Sequence, residues 1–532
     1  MPQKLMRSRQ QDAVEPYSFL ARAPRPLEDL LAGGGDGRLA LAPDDQRNSY
    51  GCTPFPRPGI VDFSSSTASS ISSCAFGRAM AANAQLWMEL TLNPDAFNDR
   101  VEASRDALRA HLGLREAEIV FSPSGTDAQL QALFLVRAIL DTPLATIIVG
   151  ADQTGSGTAY TSRGHHFSDR TALGVAVQKG APIAGMSEDV RSVGVPFCDV
   201  TGRLRSDADM DTAVYAAVAD AVSRGEKVLL QAMDSSKLGW SGPSAACLQR
   251  ISTAWPGQVM VVMDACQMRL GLPQLQDYLA RGYLVLVTGS KFFTGPAFSG
   301  ALLVPAGLAE IVDKITTFPP GLQNYTTRYD WPSRWHGLRV SLPDVPNHGQ
   351  WLRWEATLAE MTAYFAVPAV FRDSLLEEFD AQVSMQLVAS GNLCLLKEHC
   401  GANNQQLSGE MGHRTIFSFV PCRRGKPLPL PDVTALYRAM GRNLSSRLSP
   451  DAPECDRGIA ARICQIGQPV ALSHRPGAAL RISMSARLVS GCWDTSSVAT
   501  QALEPILEDV KAVIQKLDFL IARPELLQGE AA

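Results

Sequence analysis

One lysine stands where a solvated charge is out of place. Tyr283 to Val287 is a short apolar run that predicts a buried strand. Thr288, Gly289, Ser290 and Lys291 follow it, and beyond a Gly295-Pro296 turn a second apolar run leads from Gly300 to Val304. An amine held between two such strands can lose its proton through desolvation and condense with an aldehyde as a Schiff base. Taken alone, the stretch also suits a surface lysine at a strand end. A second stretch bears on that choice. Gln258 to Met263 is another buried-strand run, ending in Asp264, Ala265, Cys266 and Gln267. Between this aspartate and the lysine there is room for one helix and one strand. Parallel neighbours would then bring both strand ends to one sheet edge, where α/β proteins bind ligands. A carboxylate there suits a pyridinium nitrogen, whose charge makes the ring an electron sink.

Both motifs, in this order, resemble those of the fold type I pyridoxal-phosphate enzymes, specifically the class V aminotransferase and cysteine desulfurase group. Asp264 and Gln267 match its Asp-x-x-Gln strand end. Thr288, Ser290, Lys291, Gly295, Pro296 and Gly300 match its hydroxyl, polar residue, lysine, Gly-Pro and glycine string. The resemblance implies an α/β fold: a large domain around a mostly parallel seven-stranded sheet, with a smaller α+β C-terminal domain. It implies that Lys291 holds pyridoxal 5'-phosphate and then moves the Cα proton of a bound amino acid. By the same resemblance Asp264 keeps the pyridine nitrogen protonated, Gln267 with Ser236 tunes the ring oxygen, and Gly125, Thr126, Thr288 and Ser290 cradle the phosphate.

Composition sets the outer bounds. A chain of 532 residues predicts two domains plus an extension, and 45% hydrophobic with 19% charged residues is ordinary for a soluble globular protein. A net charge of −4 leaves no electrostatic footprint for nucleic acid or an anionic membrane. No apolar run approaches a membrane span, and Met1 to Pro16 lacks the apolar core of a secretory signal, so the expected compartment is the cytoplasm. Eleven cysteines without a C-x-x-C pair, and eight scattered histidines, predict reduced thiols and no metal site.

Stepping along the chain, residues 1–58 read as a flexible arm around Gly33 to Gly37, residues 59–349 as the large domain, and residues 350–532 as a linking helix with the small domain. Ile60 to Phe63 is a short strand before the hydroxyl-rich Ser64 to Ser70, either a plain turn or, by the resemblance, part of the substrate site. Asn98 to Leu112 has helical spacing. Strand Glu118 to Phe121, the small residues Ser122 to Ala128 and helix Gln129 to Leu140 form a strand–turn–helix unit that aims backbone N–H groups and a positive dipole end at an anion. Gly125, Thr126 and Asp127 are therefore candidates for a phosphate cup, although Thr or Asp would equally cap the helix.

After strand Thr146 to Gly150 the resembled family often stacks a histidine on its cofactor ring. This chain has Gln153 and Thr154 there, which leaves Gln153, Tyr160 and His165 as candidates. Val195 to Val200 and Val228 to Ala232 read as strands around a helix from Met210 to Arg224. The second closes on Asp234, Ser235, Ser236, Lys237, Leu238 and Gly239, where Ser236 replaces the family's asparagine. Phe318 to Trp354, rich in aromatics and arginine, predicts a cover over an active site or a subunit interface. Arg339 keeps one residue of a family turn that reaches a neighbouring subunit's phosphate.

Gln350 to Phe365 reads as the linking helix and Val498 to Leu520 as the closing one. Between them Ala479 to Ser485 is a strand with Arg481 inside it. A buried arginine needs an anion. The resemblance gives it a substrate α-carboxylate, a structural ion pair is the other reading, and Arg487 is a competitor for the role. These readings converge on an amino-acid-handling, homodimeric pyridoxal-phosphate enzyme, with transamination ahead of C–S lyase, β-elimination or decarboxylation chemistry, and a non-catalytic binding protein as the rival of another class. Desulfuration would need a nucleophilic cysteine in a Ser- and Gly-rich run, a setting that Cys394, Cys400 and Cys422 lack.

Overall fold

Strands form where Val, Ile and Leu run together between glycine, serine or proline, because branched side chains fill a pleated, buried surface well. The computed structural model describes residues 25–140, 143–186, 189–316, 318–396, 412–473, 477–496 and 498–528. Its first strand, β1 (Val61–Phe63), stands apart from the next seven. These are β2 (Glu118–Ser122), β3 (Leu144–Val149), β4 (Val190–Val195), β5 (Lys227–Met233), β6 (Val259–Asp264), β7 (Leu284–Thr288) and β8 (Gly300–Val304). They build one sheet in the order β2-β8-β7-β6-β5-β3-β4. Pairing is parallel throughout except for the two ladders of β8, which runs antiparallel to β2 and β7.

A sheet of this kind is covered on both faces, so its inner strands are mainly apolar, with Thr146 of β3 and Gln231 of β5 among the buried polar exceptions. Alternate residues of β7 enter different cores. Leu284 and Leu286 pack under the helix Gly125–Leu140, while Val285 and Val287 face the opposite layer. One expected strand is displaced. The edge strand is Val190–Val195, not residues 195–200. Pro196 has no N–H for the ladder, and the half-buried Val-Arg-Ser-Val-Gly-Val run hides its strand character behind polar residues.

The second sheet joins β1 to β9 (Leu393–Leu395), β10 (Ile416–Arg423), β11 (Lys426–Pro427), β12 (Cys464–Ala471) and β13 (Ala478–Ser483). Its order is β1-β12-β13-β10-β11, with β9 also on β10. Here β1 crosses over: it pairs in parallel with β12, Val61 opposite Cys464, and so carries the Ser64–Ser70 stretch into the seam between the two sheets.

Helix His348–Ala366 links the halves and holds the N-terminal segment. Leu27, Leu30 and Leu31 are buried against it, and fully buried Arg353 donates to the carbonyls of Leu31, Gly33, Gly34 and Phe298 at 2.5–3.0 Å. Residues 25–58, part of the stretch read as a flexible arm, are thus folded onto the rest of the chain, 27–34 on this helix and 47–51 against Gly441, Gln465 and Gln468 of the C-terminal half, whereas residues 1–24 lie outside the described residues. The aromatic stretch 318–354 does not form the expected cover over the active site. Trp331 and Trp335 have no exposed surface and fill the core beneath helix Gly125–Leu140, and no described residue from 318 to 354 lines the cavity described below. Their apolar area is satisfied within the chain, which makes them core rather than cover. Among the described residues no three metal-ligating side chains cluster, and no helix is long and apolar enough to cross a membrane.

Candidate active site

Because β6 and β7 are parallel, with Asp264 opposite Leu286, Asp264 and the turn carrying Lys291 leave the sheet at one edge. A cavity of about 410 Å³ opens there. Lys291, Asp264, Gln267, Ser236, Thr288 and Ser290 line it from the strand ends. Gly125, Thr126 and Gln153 line it from the turns after β2 and β3, and Arg481 from β13. Asp127 is the exception. It accepts a hydrogen bond from Ser124 Oγ at 2.5 Å, and burial, with Asp36 nearby, pushes its carboxyl up to about 7, so it braces the turn instead of facing the cavity.

Lys291 Nζ donates to the carbonyls of Ser66 and Thr67, both at 3.4 Å, and neither supplies a countercharge. Burial pulls the amine down to about 8. The Arg481 and Arg269 charges act with burial, and Asp264 acts against it. The loop after it holds Thr294 and Phe298 at positive φ (53° and 73°), a conformation that side-chain-bearing residues rarely adopt and that clusters at functional sites.

A chain of amides orients Asp264. Thr161 Oγ1 donates to Gln129 Oε1 at 2.6 Å, Gln129 Nε2 to Gln231 Oε1 at 2.5 Å, and Gln231 Nε2 to Asp264 Oδ2 at 3.3 Å. With the Cys266 N–H on Oδ1, each carboxylate oxygen keeps lone-pair capacity for one further donor from the cavity. At the other end the helix Gly125–Leu140 aims its first turn inward. Gly125 has no room for a side chain, since a Cβ would lie 2.7 Å from Cys266 Sγ. Arg38 reaches this point from the N-terminal segment. Asp36 pairs with it at 2.6 Å, and it donates to Ser124 Oγ at 3.3 Å and Thr126 Oγ1 at 3.5 Å.

Arg481 is buried, and its Nε donates to Ser66 Oγ at 3.1 Å and its Nη2 to Thr67 Oγ1 at 2.8 Å. Nη1 has no partner. Gly467, at a bulge in the β12–β13 ladder, makes space for it, because a Cβ there would meet Arg481 Nε at 2.5 Å. Arg487 is committed elsewhere: it pairs with Glu360 at 2.9 Å and donates to two carbonyls outside the cavity. Of the stacking candidates only Gln153 reaches the cavity, buried and with Oε1 unpartnered; His165 instead contacts the Gly180 carbonyl. Arg339 is held by Asn98 and Ser333, away from the site.

Sequence reasoning missed Arg38, Gln129 and Gln231, and assigned no role to Lys237, whose amine also lines the cavity. The two glutamines were detectable as amides in apolar surroundings. Arg38 carried no local signal, because its importance rests on the docking of residues 25–37. Cys400 and residues 407–410 lie outside the described residues, and neither Cys394 nor Cys422 lines the cavity.

No family model and no curated protein sequence matches this chain. Solved structures are similar to it. A NifS-like protein aligns with a TM-score of 0.51 at 13% identity, covering 87% of this chain and 99% of that one. Oryza sativa TDC, crystallised with PLP and tryptamine, gives 0.49 at 12% identity over 86% of this chain and 84% of that one. Mouse CSAD in apo form gives 0.46 at 14% identity, with the same coverages of 86% and 84%. The likeness to the NifS-like protein is one of fold, and it agrees with the fold type I architecture implied by the motifs.

A lysine depressed from an unfolded value of 10.5 to about 8 binds fewer protons folded than unfolded between those limits, so its contribution to stability rises with pH across that window. Freed of bound small molecules, wild type should therefore gain stability relative to Lys291→Met from pH 8 to 10 in urea titrations. A difference that is flat or falling would put the amine in water.

Proposed function

We propose that this chain is a pyridoxal-phosphate enzyme acting on amino acids, with transamination as its reaction. The observation that carries the reading is the meeting, in one cavity, of a desolvated lysine, an oriented carboxylate on the neighbouring parallel strand and a buried arginine with a free N–H edge. The residues present fit the group. Its phosphate would sit against the first turn of helix Gly125–Leu140, with Ser124, Thr126 and Arg38 around it, where glycine permits the approach. Gln153 and Gln267 each bury an unpartnered Oε1 beside the cavity. A bound ligand would relieve polar groups that otherwise remain unsatisfied.

When bound, pyridoxal phosphate supplies an electron sink that eases loss of a proton from the substrate Cα. Asp264 would hold a proton at the ring nitrogen, its own oxygens fixed by Gln231 and the Cys266 N–H. Lys291 would hold the cofactor and then carry the Cα proton, a task suited to an amine that is partly neutral near physiological pH. Ser236 Oγ accepts from the Leu238 and Trp240 N–H groups, which leaves its own hydrogen to donate to the ring oxygen. Arg481 would orient the α-carboxylate through Nη1. Cys266, the one thiol among the described lining residues, is pushed well above the usual thiol range by burial and by Asp264, so it stays protonated. Among the described lining residues no thiolate is then at hand for a desulfuration route.

Borohydride treatment followed by peptide mapping should leave a pyridoxyl mark on Lys291; a mark on Lys237, or none, would overturn the assignment. Turnover should yield a 2-oxo acid only when a second 2-oxo acid is supplied as acceptor, whereas released sulfide, ammonia or carbon dioxide would move the enzyme to the lyases. Arg481→Lys should retain the cofactor's absorbance and lose at least about a hundredfold in kcat/KM, as expected for a lost charge-assisted contact to a buried carboxylate. Loss of soluble protein instead would make Arg481 a structural residue. We propose further that the enzyme is a homodimer, from the family resemblance and from Met80 and Met88 exposed on helix Ser73–Leu90. Sedimentation at the 57.3 kDa monomer mass with full activity would refute it.

A further inference from the structure

Four cationic side chains and a single carboxylate line the cavity among the described residues: Arg38, Lys237, Lys291 and Arg481 against Asp264. On the reading above, which this inference rests on, all but one have an assigned counterpart. Asp264 answers the ring nitrogen, Lys291 is the reacting amine and Arg481 takes the α-carboxylate. Arg38, already neutralised by Asp36, stands at the phosphate end. Lys237 is left over.

Its position is fixed by the turn that ends β5. Ser236 Oγ accepts two backbone N–H groups there, and Gly239 supplies the positive φ (84°) that closes the turn. Lys237 Nζ donates to the Thr154 carbonyl at 2.9 Å, which uses one of its three N–H bonds and brings no negative charge. Burial pulls the amine down to about 8, with Lys291 and then Arg481 as the repelling charges it feels, and Asp264 offsets them only in part. A desolvated amine among cations, with no carboxylate of its own, is costly until a ligand supplies the anion. On that reading Arg481 holds the α-carboxylate, the first turn of helix Gly125–Leu140 with Arg38 holds the phosphate and Ser236 meets the ring oxygen, which leaves the rest of the substrate to supply the anion.

We infer that Lys237 binds a second carboxylate on the substrate, and that the enzyme acts on an acidic amino acid of the aspartate or glutamate class. An ion pair there favours the acid over its amide, a molecule of nearly the same size, so charge and not volume sets the preference.

Calorimetric titration of the cofactor-loaded protein separates the possibilities, using L-glutamate against L-glutamine, L-aspartate against L-asparagine, and succinate against propionate. The dicarboxylate of each pair should bind at least about tenfold tighter, the scale of one partly buried ion pair. Lys237→Met and Lys237→Gln should each erase that preference, and Lys237→Arg should keep most of it. Equal or tighter binding of the amides by wild type, or a preference that survives in the Met and Gln variants, would overturn the inference. Tighter binding of O-phospho-L-serine than of either acid would overturn the carboxylate class. A protein that carries pyridoxal phosphate and turns over neutral amino acids best refutes this inference alone; one that binds no pyridoxal phosphate sinks the parent reading with it.

Discussion

The site depends on how two buried cations are kept without two buried anions. Lys291 and Arg481 belong to different sheets, and the Ser66–Thr67 segment lies between them. Its carbonyls receive the lysine and its hydroxyls receive the arginine. Neutral acceptors of this kind solvate a charge without cancelling it, so both cations retain an appetite for a negatively charged ligand. That segment is where it is because β1 pairs with β12 instead of joining the large sheet. Arg269 adds a second tie, donating to Ser65 Oγ and to the Met484 carbonyl at the end of β13. Remove the β1–β12 ladder and the acceptors for both cations leave together.

The opposite wall follows a different rule. Asp264 is oriented by neutral amides: the Thr161–Gln129–Gln231 chain runs beneath β5 and ends on one carboxylate oxygen. The first two links are buried donors matched to buried acceptors, and the last reaches the half-buried Asp264, so the array holds the carboxylate in one arrangement. Asp234 lies just behind, held by Tyr278 and Gln274 and pushed up to about 7 by burial and by the Asp264 charge.

Much of this was legible from the chain. The apolar runs ending at Asp264 and Thr288 located two central strands to within a residue, because buried parallel strands are uniformly apolar and their ends are marked by small or polar residues. Arg481 stood out as a charge inside an apolar strand. What stayed hidden depends on long-range docking. Val190–Val195 is an edge strand whose mixed polarity reads as loop, and the tryptophans of 318–354 look like surface material until helix Gly125–Leu140 is laid over them. Nothing near Arg38 announces that Arg353, far along the chain, will pull its segment down onto the site. Asp127 was grouped with its neighbours by position, although its side chain turns toward Ser124.

The cavity wall is drawn from Arg38 at one extreme of the chain and Arg481 near the other. No fragment released early from a ribosome can therefore contain it, since the contacts that close it span nearly the whole sequence and form late. A ligand seated there binds only the finished two-sheet structure, so its binding energy is added to the stability of both sheets at once. Occupancy of the site is in that sense a completion signal: a chain that holds its ligand has already brought Arg38 and Arg481 to one cavity.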